Sequence, residues 1–242
     1  MNVKKECELK LKLESINDEL RIMEKLNSLD YFIESEKLET DFIIDTVNHE
    51  LKNRKILFRV RNINIDDKCL IVFTVKIKGD SKDFQDNLEI ETYSNDIIVE
   101  NIEKMIKILT KQTNKFIDSN IFYMSDIENI LEILHSNGYI LTEIMQKKRL
   151  EYKGAFSNVC VDNFPNNIGT FLEIEANCEE NLYKTIDLLK INEKNLEKRN
   201  YGKIIRNVMK DNKICIFNDY LLIDEKEKKW LPIRKLKKYL IK

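Results

Sequence analysis

A repeated alternation of apolar and charged residues constrains the fold of this chain more than any other feature. The segment 4–15 reads KKECELKLKLES, and its period of two is that of a β-strand with one apolar face. The apolar face carries Cys7, Leu9, Leu11 and Leu13. The opposite face carries the charged residues Glu6, Glu8, Lys10 and Lys12. The pattern therefore predicts a strand whose second face needs water, ions or a ligand.

The same kind of pattern recurs along the chain and is mixed with helical periodicity. Strand-like runs are predicted at 5–13, 40–46, 55–62, 70–78, 87–93, 140–152, 158–162 and 170–176. Helical spacing of apolar residues is found at 15–30, 96–111, 125–138 and 177–190. Strands that alternate in this way are typical of antiparallel sheets with one buried and one wet face. Their number and their mixture with helices predict an α+β protein with a sheet large enough to curl or close.

Composition argues against several classes of function. The net charge of −1 gives no reason to expect nucleic acid as a partner, although 34% of the residues are charged. The 5 cysteines are scattered without a CxxC pair and there are 2 histidines, which argues against a disulfide framework, a zinc site and histidine-based catalysis. With 5 glycines, the chain has no glycine-rich phosphate loop. Because it shows neither a membrane span nor a signal peptide, we predict a cytoplasmic protein.

Like-charged pairs two residues apart occur on the charged faces of several predicted strands. The basic pairs are Arg59 and Arg61, Lys76 and Lys78, and Lys147 and Arg149. The acidic pairs are Glu6 and Glu8, Glu89 and Glu91, and Glu173 and Glu175. Any single pair is expected by chance on a solvated strand face, and opposite charges on neighbouring strands attract weakly. Their recurrence, each time backed by apolar residues, is harder to explain in this way.

A closed sheet with these faces turned inward would need a wet, liganded interior, because burying so many charges dry costs several kcal/mol per ion. Clustered carboxylates without neighbouring histidine or cysteine suit Mg²⁺ or Mn²⁺. Clustered lysine and arginine suit phosphate oxygens. Together they predict a site for a metal-bound polyphosphate, where catalysis of phosphoryl transfer depends on positioning and on neutralising charge.

At this point the sequence resembles a known family. The run from Glu6 to Lys10 fits the ExExK signature that opens the CYTH domain of the triphosphate tunnel metalloenzyme superfamily. The resemblance continues in order through DFIIDT (41–46), LFRVR (57–61), FTVKIKG (73–79), LEIE (88–91), QKKRLEY (146–152), VDNFPNNIGTFLEIE (161–175) and NYGKII (200–205). It covers roughly residues 1–210, which we predict to be one domain. Residues 211–242 would then be an extension that ends in a short basic helix, LPIRKLKKYLIK.

The resemblance implies an eight-stranded antiparallel closed β-barrel, the triphosphate tunnel, with flanking helices. The implied metal-binding residues are Glu6, Glu8, Glu173 and Glu175. The implied triphosphate-binding residues are Lys10, Arg59, Arg61, Lys78, Lys147 and Arg149, to which the alternation adds Lys76. Catalysis is assigned to Glu6, Glu8, Lys10 and Glu175. Candidates for a supporting or additional metal-binding role are Glu89, Glu91 and Asp162, the last of which could equally be a turn residue.

Two positions depart from the family pattern. Ile43 stands where an aromatic residue is common, and Asn87 where an arginine would be expected. These departures leave the subfamily open, and three functions are therefore considered. The first is Mg²⁺- or Mn²⁺-dependent hydrolysis of a small triphosphate such as ATP, tripolyphosphate or thiamine triphosphate. The second is a class IV adenylyl cyclase, and the third is a non-catalytic polyphosphate or nucleotide sensor. If a homodimer forms, we expect it to use the helices or the tail, because a closed barrel exposes few edges.

Overall fold

A computed structural model of the chain describes residues 4–65, 68–81, 83–165, 168–192, 196–197, 199–211 and 221–222. Ten strands are described, namely β1 (Lys4–Leu13), β2 (Phe32–Thr46), β3 (Ile56–Ile65), β4 (Lys68–Lys78), β5 (Gln85–Tyr93), β6 (Tyr139–Lys153), β7 (Asn158–Phe164), β8 (Gly169–Ala176), β9 (Leu196–Glu197) and β10 (Leu221–Leu222). The α-helices are α1 (Ile16–Ser28), α2 (Glu50–Asn53), α3 (Val99–Thr113), α4 (Ile127–Ser136), α5 (Glu179–Leu189) and α6 (Tyr201–Asp211). A short 3₁₀ helix spans Ser119–Tyr123.

Eight strands form a closed antiparallel barrel, which confirms the predicted fold. The order around the barrel is β6-β2-β3-β4-β5-β1-β8-β7, and β7 pairs back with β6. Strand β1 pairs with β5 through its first half and with β8 through its second half. Two short strands are added outside this closed circuit, β9 against β1 and β10, in parallel, against β6. Closure removes the sheet edges and gives the strands an inner and an outer face.

The outer face of the barrel is apolar because the alternation places leucine, isoleucine, valine and phenylalanine there. Helices α1 and α5 cover the β1, β7 and β8 side, where Leu9 and Ile174 pack with Ile22, Leu26 and Ile186. Helices α3 and α4 and the 3₁₀ helix cover the β2 to β5 side with a larger cluster of buried residues. The predicted strand pattern is therefore realised with its apolar face outward, under helices, and its charged face inward.

Helix α6 packs against β6, β7 and β8. Its first residue, Tyr201, contacts the rings of Phe164 and Phe171. The helix can approach β6 closely because its second residue is Gly202, where an added Cβ would lie 3.1 Å from Glu143 Oε1. The hydroxyl of Tyr201 reaches into the barrel, so this helix contributes to the interior as well as to the outer packing.

Several sequence-based expectations need correction. Strand β2 begins at Phe32 rather than near residue 40, and its first half is poorly alternating and interrupted by a register shift between Ile33 and Ser35. Helix α2 and the 3₁₀ helix were not predicted, because each is too short for periodicity to be detected. The predicted basic C-terminal helix lies outside the described residues. Over the described part of the chain, no helix has the length and apolar character needed to cross a membrane.

Candidate functional site

The barrel interior is a polar cavity of about 1140 Å³. Almost all of the predicted site residues line it, namely Glu6, Glu8, Lys10, Arg59, Arg61, Lys76, Lys78, Glu89, Glu91, Lys147, Arg149, Glu173 and Glu175. The like-charged pairs therefore converge on one channel, as predicted. Asp162 is fully buried beside it in β7, so it is a strand residue rather than a turn residue.

Three carboxylates converge on the side of the cavity formed by β1 and β8. One oxygen from each of Glu6, Glu8 and Glu175 lies within 4.8 Å of the others. The register explains the convergence, because Glu8 lies directly opposite Glu175 and Glu6 is two residues away on the same face. Burial, together with the nearby carboxylates of Glu6 and Glu173, holds the pKa of Glu175 well above its usual range. A group of hard oxygen donors with repelling charges is a suitable environment for a divalent cation.

Glu173, the fourth predicted metal ligand, faces basic side chains instead. Its Oε2 lies 3.1 Å from Lys10 Nζ, and its Oε1 accepts a 2.6 Å hydrogen bond from Arg149. Although burial alone would raise the pKa of Glu173, Lys10 and Arg149 hold it well below the usual range. Lys10 also donates a 3.0 Å hydrogen bond to Glu8. Lys10 thus joins Glu173 to the group of three carboxylates.

Arg59 and Arg61 of β3 lie across the cavity and share Asp41 of β2. Arg61 donates two hydrogen bonds to Asp41, of 2.5 and 2.9 Å, and Arg59 Nη1 lies 3.5 Å from Asp41 Oδ2. Arg59 also lies 3.4 Å from Glu91 and 3.7 Å from Glu89. The predicted acidic pair on β5 therefore pairs with arginine. Lys76 of β4 links this region to the carboxylate group, since its ammonium contacts Glu6, Glu8 and Glu89.

Asp162 organises the basic residues of β6. It accepts hydrogen bonds from Lys147 at 2.9 Å, from both Nε and Nη2 of Arg149 at 2.7 Å, and from the Tyr201 hydroxyl at 2.7 Å. The ammonium groups of Lys10 and Lys147 also lie 4.8 and 5.0 Å from the centre of the Tyr201 ring. Burial and the charge of Asp162 hold the pKa of Tyr201 well above its usual range, so it remains a neutral donor.

Sequence reasoning did not assign several charged residues of the cavity. These are Lys37, Glu39 and Asp41 on β2, Glu143 and Glu151 on β6, and Arg206 on α6. A usable signal existed in β2, where Lys37, Glu39 and Asp41 alternate with Leu38, Thr40 and Phe42. Glu39 and Asp41 are a further like-charged pair, but Glu39 precedes residue 40, where the strand was predicted to begin. Ile43 and Asn87, the two departures from the family pattern, also line the cavity.

Lys78 is exposed at the end of β4 and lines the cavity near Gly79 and Asp80. It differs in this from the buried Lys10, Lys147 and Arg149. Its position suits an electrostatic role at the mouth of the channel rather than a contact in its centre.

Comparisons with known proteins agree with this geometry. A family model described as the CYTH domain matches residues 4–200. A candidate adenylate cyclase from Vibrio parahaemolyticus superposes with a TM-score of 0.60 at 15% identity, covering 84% of this chain and 98% of that one. A conserved hypothetical protein from Pyrococcus furiosus gives a TM-score of 0.58 at 18% identity, covering 82% of this chain and 99% of that one.

HpAC1 from Hippeastrum, a candidate adenylyl cyclase with a dominant triphosphatase activity, gives a TM-score of 0.52 at 15% identity. The superposition covers 84% of this chain and 95% of that one. At these identities the solved structures establish similarity of fold alone. No curated protein matches the sequence.

Proposed function

The chain belongs to the CYTH domain family, and on that premise we propose that it is a divalent-metal-dependent enzyme that hydrolyses a triphosphate bound in the barrel channel. The family comprises triphosphatases and adenylyl cyclase-like enzymes that bind triphosphates. The observation that carries the proposal is the convergence of Glu6, Glu8 and Glu175 to within 4.8 Å in a cavity that lysine and arginine side chains also line.

The donor set fits Mg²⁺ or Mn²⁺. All three side chains offer carboxylate oxygens, and Glu6 and Glu8 are buried. The pKa of Glu175 is raised by burial and by the charges of Glu6 and Glu173, and a bound cation would offset both effects. We therefore assign Glu6, Glu8 and Glu175 as the residues that hold the metal, with Glu173 in a supporting position through Lys10. A metal bound here would supply Lewis-acid polarisation of phosphate oxygens and a more acidic water.

The basic side chains of the cavity hold the phosphate chain in this proposal. Arg59, Arg61 and Arg149 offer planar forks that match phosphate oxygens, and Lys10, Lys76 and Lys147 offer compact charges. All six already contact carboxylates of the barrel. Those contacts pre-orient the donors, so little reorganisation is needed when charge develops on the leaving phosphate.

Adenylyl cyclase activity is the second candidate. Ile43 on β2 lies beside Arg59 of β3 in register, and Leu57 and Met145 on the two neighbouring strands also line the cavity. This apolar stretch could contact a nucleobase and so favours ATP over an inorganic substrate. The same charged clamp would serve an attack by the 3′-hydroxyl of ATP on its own α-phosphate.

Product analysis separates the candidates. The protein is incubated with Mg²⁺ or Mn²⁺ and, in turn, with tripolyphosphate, thiamine triphosphate or ATP, and the products are resolved by ion-exchange chromatography. Release of orthophosphate supports the hydrolase, and cyclic AMP with pyrophosphate supports the cyclase. Tight binding of these substrates without any product would refute both and favour the sensor.

Three further assignments accompany the proposal. We propose that residues 1–210 suffice for activity and that residues 211–242 are an extension. We also propose that the protein is cytoplasmic and that any homodimer forms through the helices or the tail. Truncation after residue 210 with assay of the remaining activity tests the first of these.

A further inference from the structure

Glu39 lies among basic side chains in the centre of the barrel and is 1% exposed. Its carboxylate is approached by Arg61 Nη1 at 3.0 Å and by Lys147 Nζ at 3.5 Å. Lys37 Nζ and Arg149 Nε follow at 3.6 and 3.8 Å. Burial alone would raise the pKa of Glu39, but these cations outweigh it and hold the pKa below the usual range. Glu39 is therefore a fixed negative charge at this point.

The bonding of Glu39 differs from that of the carboxylates around it. Asp41 accepts hydrogen bonds from Arg61, Asp162 from Lys147 and Arg149, and Glu151 from Lys37. By contrast, neither buried oxygen of Glu39 accepts a hydrogen bond within the described part of the chain. Its attraction to the cations is thus electrostatic and lacks the directional bonds that fix its neighbours.

We propose that Glu39 is an affinity-setting residue, an internal anion that competes with the phosphate groups of the substrate for Arg61, Lys147 and Arg149. This inference rests on the proposed function, because it concerns the same channel and a triphosphate ligand. Phosphate oxygens can accept the directional hydrogen bonds that Glu39 does not. Glu39 keeps the cations charge-balanced and at the same time repels an incoming polyanion, which weakens binding and favours exchange of substrate and product.

Removing the negative charge of Glu39 should change the affinity for a polyphosphate strongly. A carboxylate a few ångströms from a bound phosphate, at an effective dielectric constant of about 20, repels it enough to change affinity by roughly tenfold or more. Replacement by an isosteric amide should therefore tighten binding of a polyphosphate. In steady-state kinetics KM should fall without a rise in kcat, since product is bound more tightly as well.

The test is isothermal titration of sodium tripolyphosphate into the full-length protein, with EDTA present so that metal binding does not contribute. We compare wild type with Glu39→Gln, with Glu39→Asp, which keeps the charge, and with Glu36→Gln, which removes an exposed charge from the same strand. Binding at least about tenfold tighter in Glu39→Gln alone supports the inference. Equal or weaker binding in a folded Glu39→Gln would overturn it and make Glu39 a structural partner of the cations.

Loss of a buried charge among cations could prevent Glu39→Gln from folding, so a second measurement is included. The variant is refolded with tripolyphosphate and, separately, with sodium chloride at matched ionic strength, and its circular dichroism is recorded. Recovery with tripolyphosphate alone supports the inference, and failure to recover opposes it.

The outcome is distinguishable from failure of the proposed function. Wild-type protein that binds tripolyphosphate but forms no product would refute the hydrolase while the comparison of affinities still decides the role of Glu39. A protein that binds no tripolyphosphate in any variant would refute the affinity-setting role directly.

Discussion

Two walls of the same channel differ in how their buried charges are arranged. On the β1–β8 wall, three carboxylates converge, and burial together with the like charges of Glu6 and Glu173 raises the pKa of one of them, Glu175. On the wall formed by β2, β3, β6 and β7, acidic side chains alternate with basic ones. The single carboxylate of Asp162 accepts hydrogen bonds from Lys147, Arg149 and Tyr201. The first wall is electrostatically strained, whereas the second is close to self-neutralised.

The difference indicates that the two walls have different roles. Binding a cation relieves the repulsion between these like charges, and this relief contributes to the free energy of binding. A network close to neutral keeps its donors in fixed positions, and Glu39 is the carboxylate in it whose oxygens accept no hydrogen bond within the described residues. We therefore expect substitutions in the first wall to act mainly on turnover and substitutions in the second, apart from Glu39, to act mainly on stability. The predictions below test that separation.

The largest expected effect is on turnover in the first wall. Glu8→Gln should lower kcat/KM by at least about 1000-fold, because it removes a charged ligand from the proposed metal site. Because Glu8 also pairs with Lys10 and Lys76, some fall in melting temperature is expected, and activity is assayed at a temperature at which the variant is folded. Substrate cleavage is assayed with Mg²⁺ beside Glu36→Gln, whose exposed side chain should leave activity unchanged. Wild-type activity in Glu8→Gln would remove this residue from the metal site.

The next effect is on stability in the second wall. Asp162→Asn should lower the free energy of unfolding by about 3 to 5 kcal/mol, because it leaves Lys147 and Arg149 buried without their shared carboxylate. Urea denaturation measures the change. Asp80→Asn is the matched control, since Asp80 is exposed and its pair with Lys55 lies at the surface. A loss of stability no larger than that of the control would show that the second wall is not a satisfied network.

Metal binding provides a third test, of intermediate size. At a Mg²⁺ concentration of about 100 times Kd, the wild-type protein should gain about 2.7 kcal/mol of stability, visible as a rise in melting temperature that EDTA reverses. Glu175→Gln should lose most of this gain, because its carboxylate is one of the three that converge. Glu151→Gln, which removes a carboxylate from the other wall, should keep it. An equal loss in both variants would argue for diffuse charge screening instead of a site.

The sequence was sufficient to predict most of the first wall. Glu6, Glu8, Glu173 and Glu175 stand in like-charged pairs on strongly alternating strands, and a period of two decides which face they share. It was insufficient for much of the second wall. Which acid meets which cation depends on strand register, and the contact of Tyr201 with Asp162 joins residues 39 positions apart. No local pattern encodes such a pairing.

Strand β2 shows the same limit in another form. Its start at Phe32 was missed because the segment FIESEKLE alternates weakly and contains a register shift, and Glu39 was missed with it. The start of α4 shows it too, since Asp126 accepts the amide hydrogens of Glu128 and Asn129 although the adjacent Ser125 is also a favoured capping residue. Adjacent residues of similar capping propensity can be separated only by their backbone conformation.

The smallest effect is expected at the edge of the second wall, where Lys37 donates a 2.6 Å hydrogen bond to Glu151. Burial raises the pKa of Glu151, but Lys37 outweighs it and the pKa is lowered overall. A lowered folded-state pKa stabilises the protein above the usual glutamate pKa of about 4.3, and this stabilisation is lost as the pH falls through the folded value. Glu151→Gln should therefore cost about 1 kcal/mol or less at pH 7, and the cost should shrink below about pH 4. Urea unfolding of both proteins from neutral to acid pH, with Lys37→Gln as the reciprocal variant, measures this difference. A cost independent of pH would mean that Glu151 acts through packing, and that the self-neutralised network ends before it reaches this residue.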